Sequence, residues 1–179
     1  MYINKILNLQ KYEFSSRYEI IEVILYSTVG FFMPFMLAHP QWLVGTIVNA
    51  MLISGAITVR GYKLLPIILL PSLGVLSAGI IFGKFTVFLL YMIPFIWISN
   101  GLLVLAYKVL NIEQKWNYFI TLAFGSIIKS LFLFTIALIL YKSGFIPLLF
   151  LTAMGMLQLV TSVTGGIVAF GFEMVKKKI

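Results

Sequence analysis

Six apolar stretches dominate this sequence, and each is close to the length that a helix needs to cross a membrane. They cover residues 20–38, 42–59, 64–82, 85–107, 117–141 and 146–172. Crossing the hydrocarbon core takes about 20 apolar residues in a helix. Short polar or helix-breaking segments, such as 39–41 and 142–144, separate the stretches. The pattern predicts an all-α integral membrane protein in which residues 1–179 form one compact six-helix domain.

The composition excludes a soluble protein. Apolar residues make up 61% of the chain and charged residues only 10%, which gives a mean hydropathy of +1.08. Soluble domains contain about 45–50% apolar and about 25% charged residues. So few polar side chains could not cover the apolar surface of a soluble domain of 179 residues.

The basic residues are distributed unevenly between the two sides that six crossings define. Ten of the 13 Lys and Arg residues fall on the side of the termini, and only Lys84 and Lys142 fall on the other. Because Lys and Arg are enriched in cytoplasmic loops, the bias predicts that both termini are cytoplasmic. This orientation accounts for the net charge of +8, so nucleic acid is not an expected partner.

The two ends of the chain have distinct predicted roles. Residues 1–19 carry apolar side chains such as Ile6 and Phe14 among polar ones, which predicts a short amphipathic helix on the cytoplasmic leaflet. The first apolar stretch is too long for a cleavable signal peptide. Residues 173–179 form a basic cytoplasmic tail that is expected to contact anionic membrane lipid.

The inventory of reactive side chains is too small for most enzyme chemistry. The chain contains no Cys, no Asp and one His, His39, and its acidic residues are five glutamates. Thiolate metal sites, Ser-His-Asp relays and multi-ligand metal sites are not expected from this set. We therefore expect no enzymatic activity, no cofactor and no bound metal.

One charged residue, Lys129, lies in the middle of the fifth apolar stretch. A Lys at this depth costs about +3 kcal/mol, and such residues commonly mark binding sites. No Glu is predicted at the same depth. Lys129 either faces an internal cavity and binds the anionic group of a ligand, or it is satisfied by helix carbonyl groups and Gln158, or it is deprotonated.

Three amide side chains, those of Gln158, Asn49 and Asn100, lie in other apolar stretches. Each could bind a ligand or hydrogen-bond a neighbouring helix, an interaction that contributes about 0.6 kcal/mol. The helix contact is the favoured interpretation for Asn49 and Asn100. Gln158 lies near the level of Lys129 and fits either role.

Aromatic residues and a polar loop are expected on the outer side. His39 lies in the first loop, which would suit a lid over an outward-facing pocket, although an exposed loop histidine is the simpler interpretation. An aromatic belt at the membrane interface explains most rings at this depth. The candidate apolar walls of a pocket are Trp42, Phe88, Tyr91 and Phe132.

The layout and one segment resemble the substrate-binding (S) components of energy-coupling factor transporters. The segment is 91–104, Tyr-Met-Ile-Pro-Phe-Ile-Trp-Ile-Ser-Asn-Gly-Leu-Leu-Val, in which a Pro precedes a Ser-Asn pair as in the fourth helix of several such proteins. The resemblance implies an outward-facing pocket for a vitamin-like organic solute in the cell membrane of a prokaryote. It also implies a transmembrane coupling protein and cytoplasmic ATPases as partners, and this chain has no phosphate-binding loop of its own.

Members of that family commonly pack an Ala-x-x-x-Ala motif of the first helix against the coupling protein. The nearest equivalent here is Ser27-Thr28-Val29-Gly30, which lacks that spacing. Ser27 and Gly30 are therefore candidate docking residues. Ser162 and Gly166, small residues four apart, are further candidates because such pairs let helices approach closely. Packing within the chain is the alternative interpretation.

Together these observations favour a membrane-embedded solute-binding subunit of a multi-component ATP-driven importer. Lys129 would bind the anionic group of a small organic solute, and Gln158 would form a hydrogen bond with it. The alternative is a non-transporting assembly or scaffold subunit of an envelope complex, which needs no cavity at Lys129. A stand-alone secondary transporter is less expected, because Lys129 is the one titratable group predicted at the midplane.

Overall fold

The computed structural model describes residues 2–37 and 40–177, and these form helices joined by turns and short irregular segments. Within them, six helical segments are long and apolar enough to cross a membrane. They are Ser16–Met36, Gln41–Thr58, Gly61–Ala78, Gly83–Glu113, Tyr118–Lys142 and Leu149–Lys176. For these described residues, the prediction of an all-α chain with six helical segments long and apolar enough to cross a membrane is therefore confirmed.

We number the α-helices along the chain. They are α1 (Tyr2–Leu7), α2 (Ser16–Met36), α3 (Gln41–Thr58), α4 (Leu65–Ala78), α5 (Leu89–Ala106), α6 (Tyr118–Lys142), α7 (Leu149–Met154) and α8 (Met156–Lys176). Short 3₁₀ turns, Gly61–Leu64 and Gly83–Phe88, precede α4 and α5. A π-helical segment, Tyr107–Glu113, continues α5.

Local capping decides where the helices begin and end. The helix α2 begins before the predicted residue 20, because the Ser15 hydroxyl accepts a hydrogen bond from the backbone N–H of Tyr18. The helix α4 ends before the predicted residue 82, at Gly79, whose φ of +68° is the left-handed conformation that favours glycine. The last span is divided into α7 and α8 at Gly155.

The helix α3 lies at the centre of the bundle. It packs against α2, α5 and, most extensively, α8, and its residues Ala50, Leu52 and Ile53 are fully buried. The approach to α8 is closest at Gly165, where a Cβ atom would lie 2.6 Å from the carbonyl oxygen of Thr46. A side chain at this position would push the helices apart, so glycine is required there.

The two ends of the chain meet at one end of the bundle, which we call the terminal end. The Lys11 ammonium lies 2.5 Å from the Glu173 carboxylate near the end of α8. In the same region Lys176 forms an ion pair with Glu22 of α2. The ends of α2, α4 and α6 and the starts of α3, α5 and α7 lie at the other end, which we call the opposite end.

The N-terminal segment folds against the terminal end. Its helix, Tyr2–Leu7, is short and covers only the first part of the predicted segment 1–19. The backbone N–H of Lys11 donates to the carbonyl oxygen of Ile57 at 2.9 Å, and the Gln10 amide donates to that of Thr58 at 2.5 Å. These hydrogen bonds satisfy carbonyl groups at the end of α3 that have no partner within the helix.

Candidate functional site

A cavity of about 90 Å³ extends from the opposite end into the middle of the bundle. Gln41 and Phe82 line it at the opposite end, and Lys129 lines it at the middle of α6. Its walls are mainly aliphatic, with a few polar groups that include Ser72 and Gln158. An apolar cavity with a few placed polar groups is the usual form of a small-molecule site.

Lys129 is the most unusual residue of this cavity, since its side chain is buried and only 2% of the residue is exposed. The Nζ atom donates hydrogen bonds to Oδ1 of Asn49 at 2.6 Å and to Oδ1 of Asn100 at 2.8 Å. The helices α3, α5 and α6 therefore each contribute one polar residue to the centre of the bundle. An ammonium group has three N–H donors, so one remains after these two hydrogen bonds.

The two amide groups are fixed in orientation by their nitrogen atoms. Nδ2 of Asn49 donates to the carbonyl oxygen of Gly45 at 2.9 Å and to Oγ1 of Thr161 at 3.3 Å. Nδ2 of Asn100 donates to the carbonyl oxygen of Ile68 at 3.1 Å. Because both nitrogens are bound to acceptors, both amide oxygens face Lys129.

Lys129 forms no ion pair within the part of the chain that the structure describes. All five glutamates belong to that part. The ion pairs found there involve Glu19, Glu22 and Glu173, all at the terminal end. A buried charge is normally paired. A protonated Lys129, held by neutral amide oxygens, therefore leaves its charge for a ligand to balance.

The other predicted ligand residues are divided between the cavity and the outside of the bundle. Gln158 lines the cavity, and its side chain forms no hydrogen bond with the described residues. Trp42 and Tyr91 are each 48% exposed and do not line it. Phe88 and Phe132 are half-buried in an apolar cluster and do not line the cavity themselves. The apolar wall consists instead of Val44, Val48, Pro71, Val75, Ile81, Phe82, Leu89, Ile96, Met154 and Leu157.

The four candidate docking residues lie inside the bundle. Ser27 is buried, and Gly30 packs so closely against a proline ring of α4 that a Cβ atom would lie 2.9 Å from it. The Ser162 hydroxyl lies 2.8 Å from that of Ser126. The carbonyl oxygen of Gly166 accepts a hydrogen bond from a tyrosine hydroxyl of α6. These four residues therefore join helices of this chain to each other.

A second polar cluster closes the terminal end. Glu19 is fully buried and lies 3.0 Å from the Arg60 guanidinium and 2.6 Å from the Lys63 ammonium. At the end of α8, the Tyr12 hydroxyl donates to the Glu173 carboxylate at 3.2 Å. Partial burial and the nearby Glu173 carboxylate raise the pKa of Tyr12. The acidic side chains here are thus bound by basic and hydroxyl groups of the chain itself.

No metal-binding cluster emerges from the described residues, among which no three His, Cys, Asp or Glu side chains come together. His39, the predicted lid residue, lies outside the described residues. The cavity at Lys129 is therefore the candidate site.

Neither a family model nor a curated protein nor a solved structure matches this chain significantly. The functional interpretation therefore depends on the geometry and chemistry of the Lys129 cavity.

Proposed function

We propose that this chain is the membrane-embedded solute-binding subunit of a multi-component ATP-driven importer, and that it captures a small organic anion in the Lys129 cavity. The observation that carries the proposal is the buried Lys129 side chain. It lines a cavity, and its Nζ atom is held by two neutral amide oxygens at 2.6 and 2.8 Å. Such an ammonium attracts an anionic group and has one N–H left to bind it.

The lining of the cavity supplies the remaining contacts for such a solute. The Gln158 amide can donate a second hydrogen bond, and the aliphatic wall can cover an apolar part of the molecule. The volume of about 90 Å³ is below the roughly 300–1,000 Å³ of most ligand pockets. It therefore fits an anionic group and a few attached atoms. A larger, vitamin-like solute requires the opening near Gln41 and Phe82 to widen.

In this proposal the opposite end faces outward and both termini are cytoplasmic, the orientation that the bias of Lys and Arg favours. The solute then enters the cavity from outside the cell. The terminal end, on the cytoplasmic side, is closed by the ion pairs of the glutamates. ATP hydrolysis has to come from partner proteins, because the sequence contains no phosphate-binding loop. The resemblance to S components suggests a transmembrane coupling protein and cytoplasmic ATPases in a prokaryotic cell membrane.

One preparation tests both parts of the proposal. The protein is purified from its native membranes in mild detergent, and native mass spectrometry identifies bound small molecules while proteomics identifies bound proteins. We expect the wild type to carry a small anion together with a coupling protein and ATPases. Lys129→Met removes the ammonium, so we expect this variant to lose the anion and keep the partner proteins.

Lys142→Met is the matched control, because Lys142 lies on the same helix but is exposed at the opposite end. This control should keep both the anion and the partners. An anion retained by Lys129→Met would contradict the assigned site. Recovery of envelope-synthesis or cell-shape proteins without an ATPase would contradict the importer and favour a scaffold subunit.

A further inference from the structure

We infer that Asn49 and Asn100 determine the charge of the solute group that this cavity accepts, and that this group is a monoanion such as a single carboxylate. The inference rests on the proposed function and adds a substrate class and two specificity-determining residues to it. Both residues act through Lys129, so they are positioning residues for its ammonium group.

The two groups that hold Lys129 are neutral amides. Each presents an amide oxygen within 2.8 Å of Nζ, and each amide nitrogen is bound to an acceptor elsewhere. An aspartate differs from asparagine by one atom and would place a full negative charge at the same point. The amides therefore orient the ammonium group without neutralising it.

The terminal end of the same molecule differs from the cavity in its acidic residues. There, Lys63 is paired with Glu19 and Lys176 with Glu22, and the fully buried Lys108 is held by the carbonyl oxygens of Leu9 and Val59. In the cavity the described residues place no carboxylate against Lys129. The cavity thus keeps one positive charge, and a ligand with one negative charge restores neutrality in a medium where unpaired charge is costly.

The number of hydrogen-bond donor groups available to a ligand also indicates a monoanionic solute group. Lys129 has one N–H left, and the Gln158 amide is the other side-chain donor near its level that forms no hydrogen bond with the described residues. These two donor groups, one ammonium N–H and one amide NH₂, match the two oxygens of a single carboxylate. A dianion would bring a second charge that one ammonium does not balance, and a cation would be repelled.

The test compares two probes of nearly equal shape, propionate and its neutral amide, propionamide. Their dissociation constants are measured by isothermal titration calorimetry near pH 7 on the full-length protein in nanodiscs. We expect the wild type to bind propionate more tightly than propionamide, and more tightly than the dianion malonate. Asn49→Asp should weaken propionate binding about tenfold to a hundredfold, because the aspartate pairs with Lys129, and should leave propionamide binding nearly unchanged.

Asn49 is the better position for this substitution, because the Thr161 hydroxyl, 3.3 Å from Nδ2, can donate to the new carboxylate oxygen. Asn100→Asp is the second variant. In either variant the side chain loses its hydrogen bond to the carbonyl oxygen of Gly45 or Ile68 and gains an ion pair with Lys129, and because these changes offset each other the melting temperature should stay close to that of the wild type. A purely structural role would instead lower the melting temperature and weaken the binding of both probes alike.

Asn111→Asp is the matched control. Asn111 is also buried, and its Oδ1 atom faces a lysine, Lys11, at 3.4 Å, but it lies at the terminal end. We expect this control to leave both dissociation constants unchanged. Wild-type preference for malonate, or Asp variants that bind propionate as tightly as the wild type, would overturn the inference alone. A wild type that binds neither probe, or both equally, would overturn the proposed function as well.

Discussion

Two buried lysines of this chain have different surroundings, which gives the same residue type two roles. The side chain of Lys108 is fully buried, and its Nζ atom donates to the carbonyl oxygens of Leu9 at 2.5 Å and Val59 at 2.9 Å. These are backbone groups of the N-terminal segment and of the end of α3. Lys108 therefore joins two segments of the fold, whereas Lys129 lies against a cavity.

Substitution of Lys108 tests its structural role. In Lys108→Met the buried carbonyl group of Val59 and the partly buried one of Leu9 lose their donor, and the loss at a buried group costs about 1–3 kcal/mol. We expect the free energy of unfolding, measured in detergent by denaturant titration, to fall by at least about 2 kcal/mol. Lys142→Met, at an exposed position, should change it by less than about 0.5 kcal/mol. Equal stability of the two variants would show that the Lys108 hydrogen bonds contribute nothing.

Among the helices, the contact between α3 and α8 positions the site. The hydroxyl groups of Thr46 and Thr164 lie 2.7 Å apart across it, and Thr161 of α8 accepts from the Asn49 amide at 3.3 Å. Gly165 lets the two backbones come close enough for these hydrogen bonds. The orientation of Asn49, and through it that of Lys129, depends on this distance between helices.

Two glycine-to-alanine substitutions in α8 distinguish the effect of close helix packing on stability from the effect of helix propensity. In Gly165→Ala the new Cβ atom would lie 2.6 Å from the carbonyl oxygen of Thr46, so α3 and α8 must move apart. We expect a loss of about 1–3 kcal/mol in unfolding free energy, together with weaker propionate binding. At Gly171 no atom would lie within 4 Å of a new Cβ, and alanine there should stabilise the helix by about 0.5–1 kcal/mol. Similar losses in both variants would contradict the assigned contact.

At the scale of the whole molecule, polar groups are separated between the two ends of the bundle. The terminal end holds the ion pairs of Glu19, Glu22 and Glu173, and the cavity extends from the opposite end. One end thus holds the charge pairs, while the cavity at the other reaches Lys129, which forms no ion pair with the residues that the structure describes. This asymmetry suits a protein that receives a solute from one side of a membrane.

The absence of cysteine from the sequence allows a direct test of orientation. Single cysteines are introduced at exposed positions and treated in intact cells with a membrane-impermeant maleimide. Lys84→Cys and Ser143→Cys at the opposite end should be labelled, and Lys115→Cys and Lys177→Cys at the terminal end should react only after permeabilisation. The reverse pattern would contradict the proposed orientation and leave the cavity facing the cytoplasm.

Some features of the site follow from the sequence, because a polar residue within an apolar stretch stands out. Lys129, Gln158, Asn49 and Asn100 are all recognisable in this way. Their arrangement in space cannot be recognised from the sequence, since Lys129 lies 80 residues from Asn49 and 29 from Asn100 along the chain. Helix packing alone decides that the two asparagines, rather than Gln158, hold Lys129.

The residues that form the apolar wall of the cavity cannot be identified from the sequence, for a different reason. In a membrane, lipid tails are as apolar as a protein interior, so Val44 inside the bundle and Val87 on its surface carry no distinguishing pattern. Aromatic residues are equally hard to assign to a pocket wall, because aromatic rings also favour the membrane interface. Trp42 and Tyr91, predicted as walls, are half exposed.

The sequence by itself determined the helical class of this protein, the number of helices long and apolar enough to cross a membrane and the presence of a lysine in the middle of one of them. These features depend on local sequence, because a long apolar stretch can satisfy its backbone N–H and C=O groups in lipid only by forming a helix. Only the tertiary structure decided that Lys129 lines a cavity and that its partners are neutral amides. The reason is that these contacts join residues far apart in the chain, through interfaces whose close approach depends on single glycines such as Gly165.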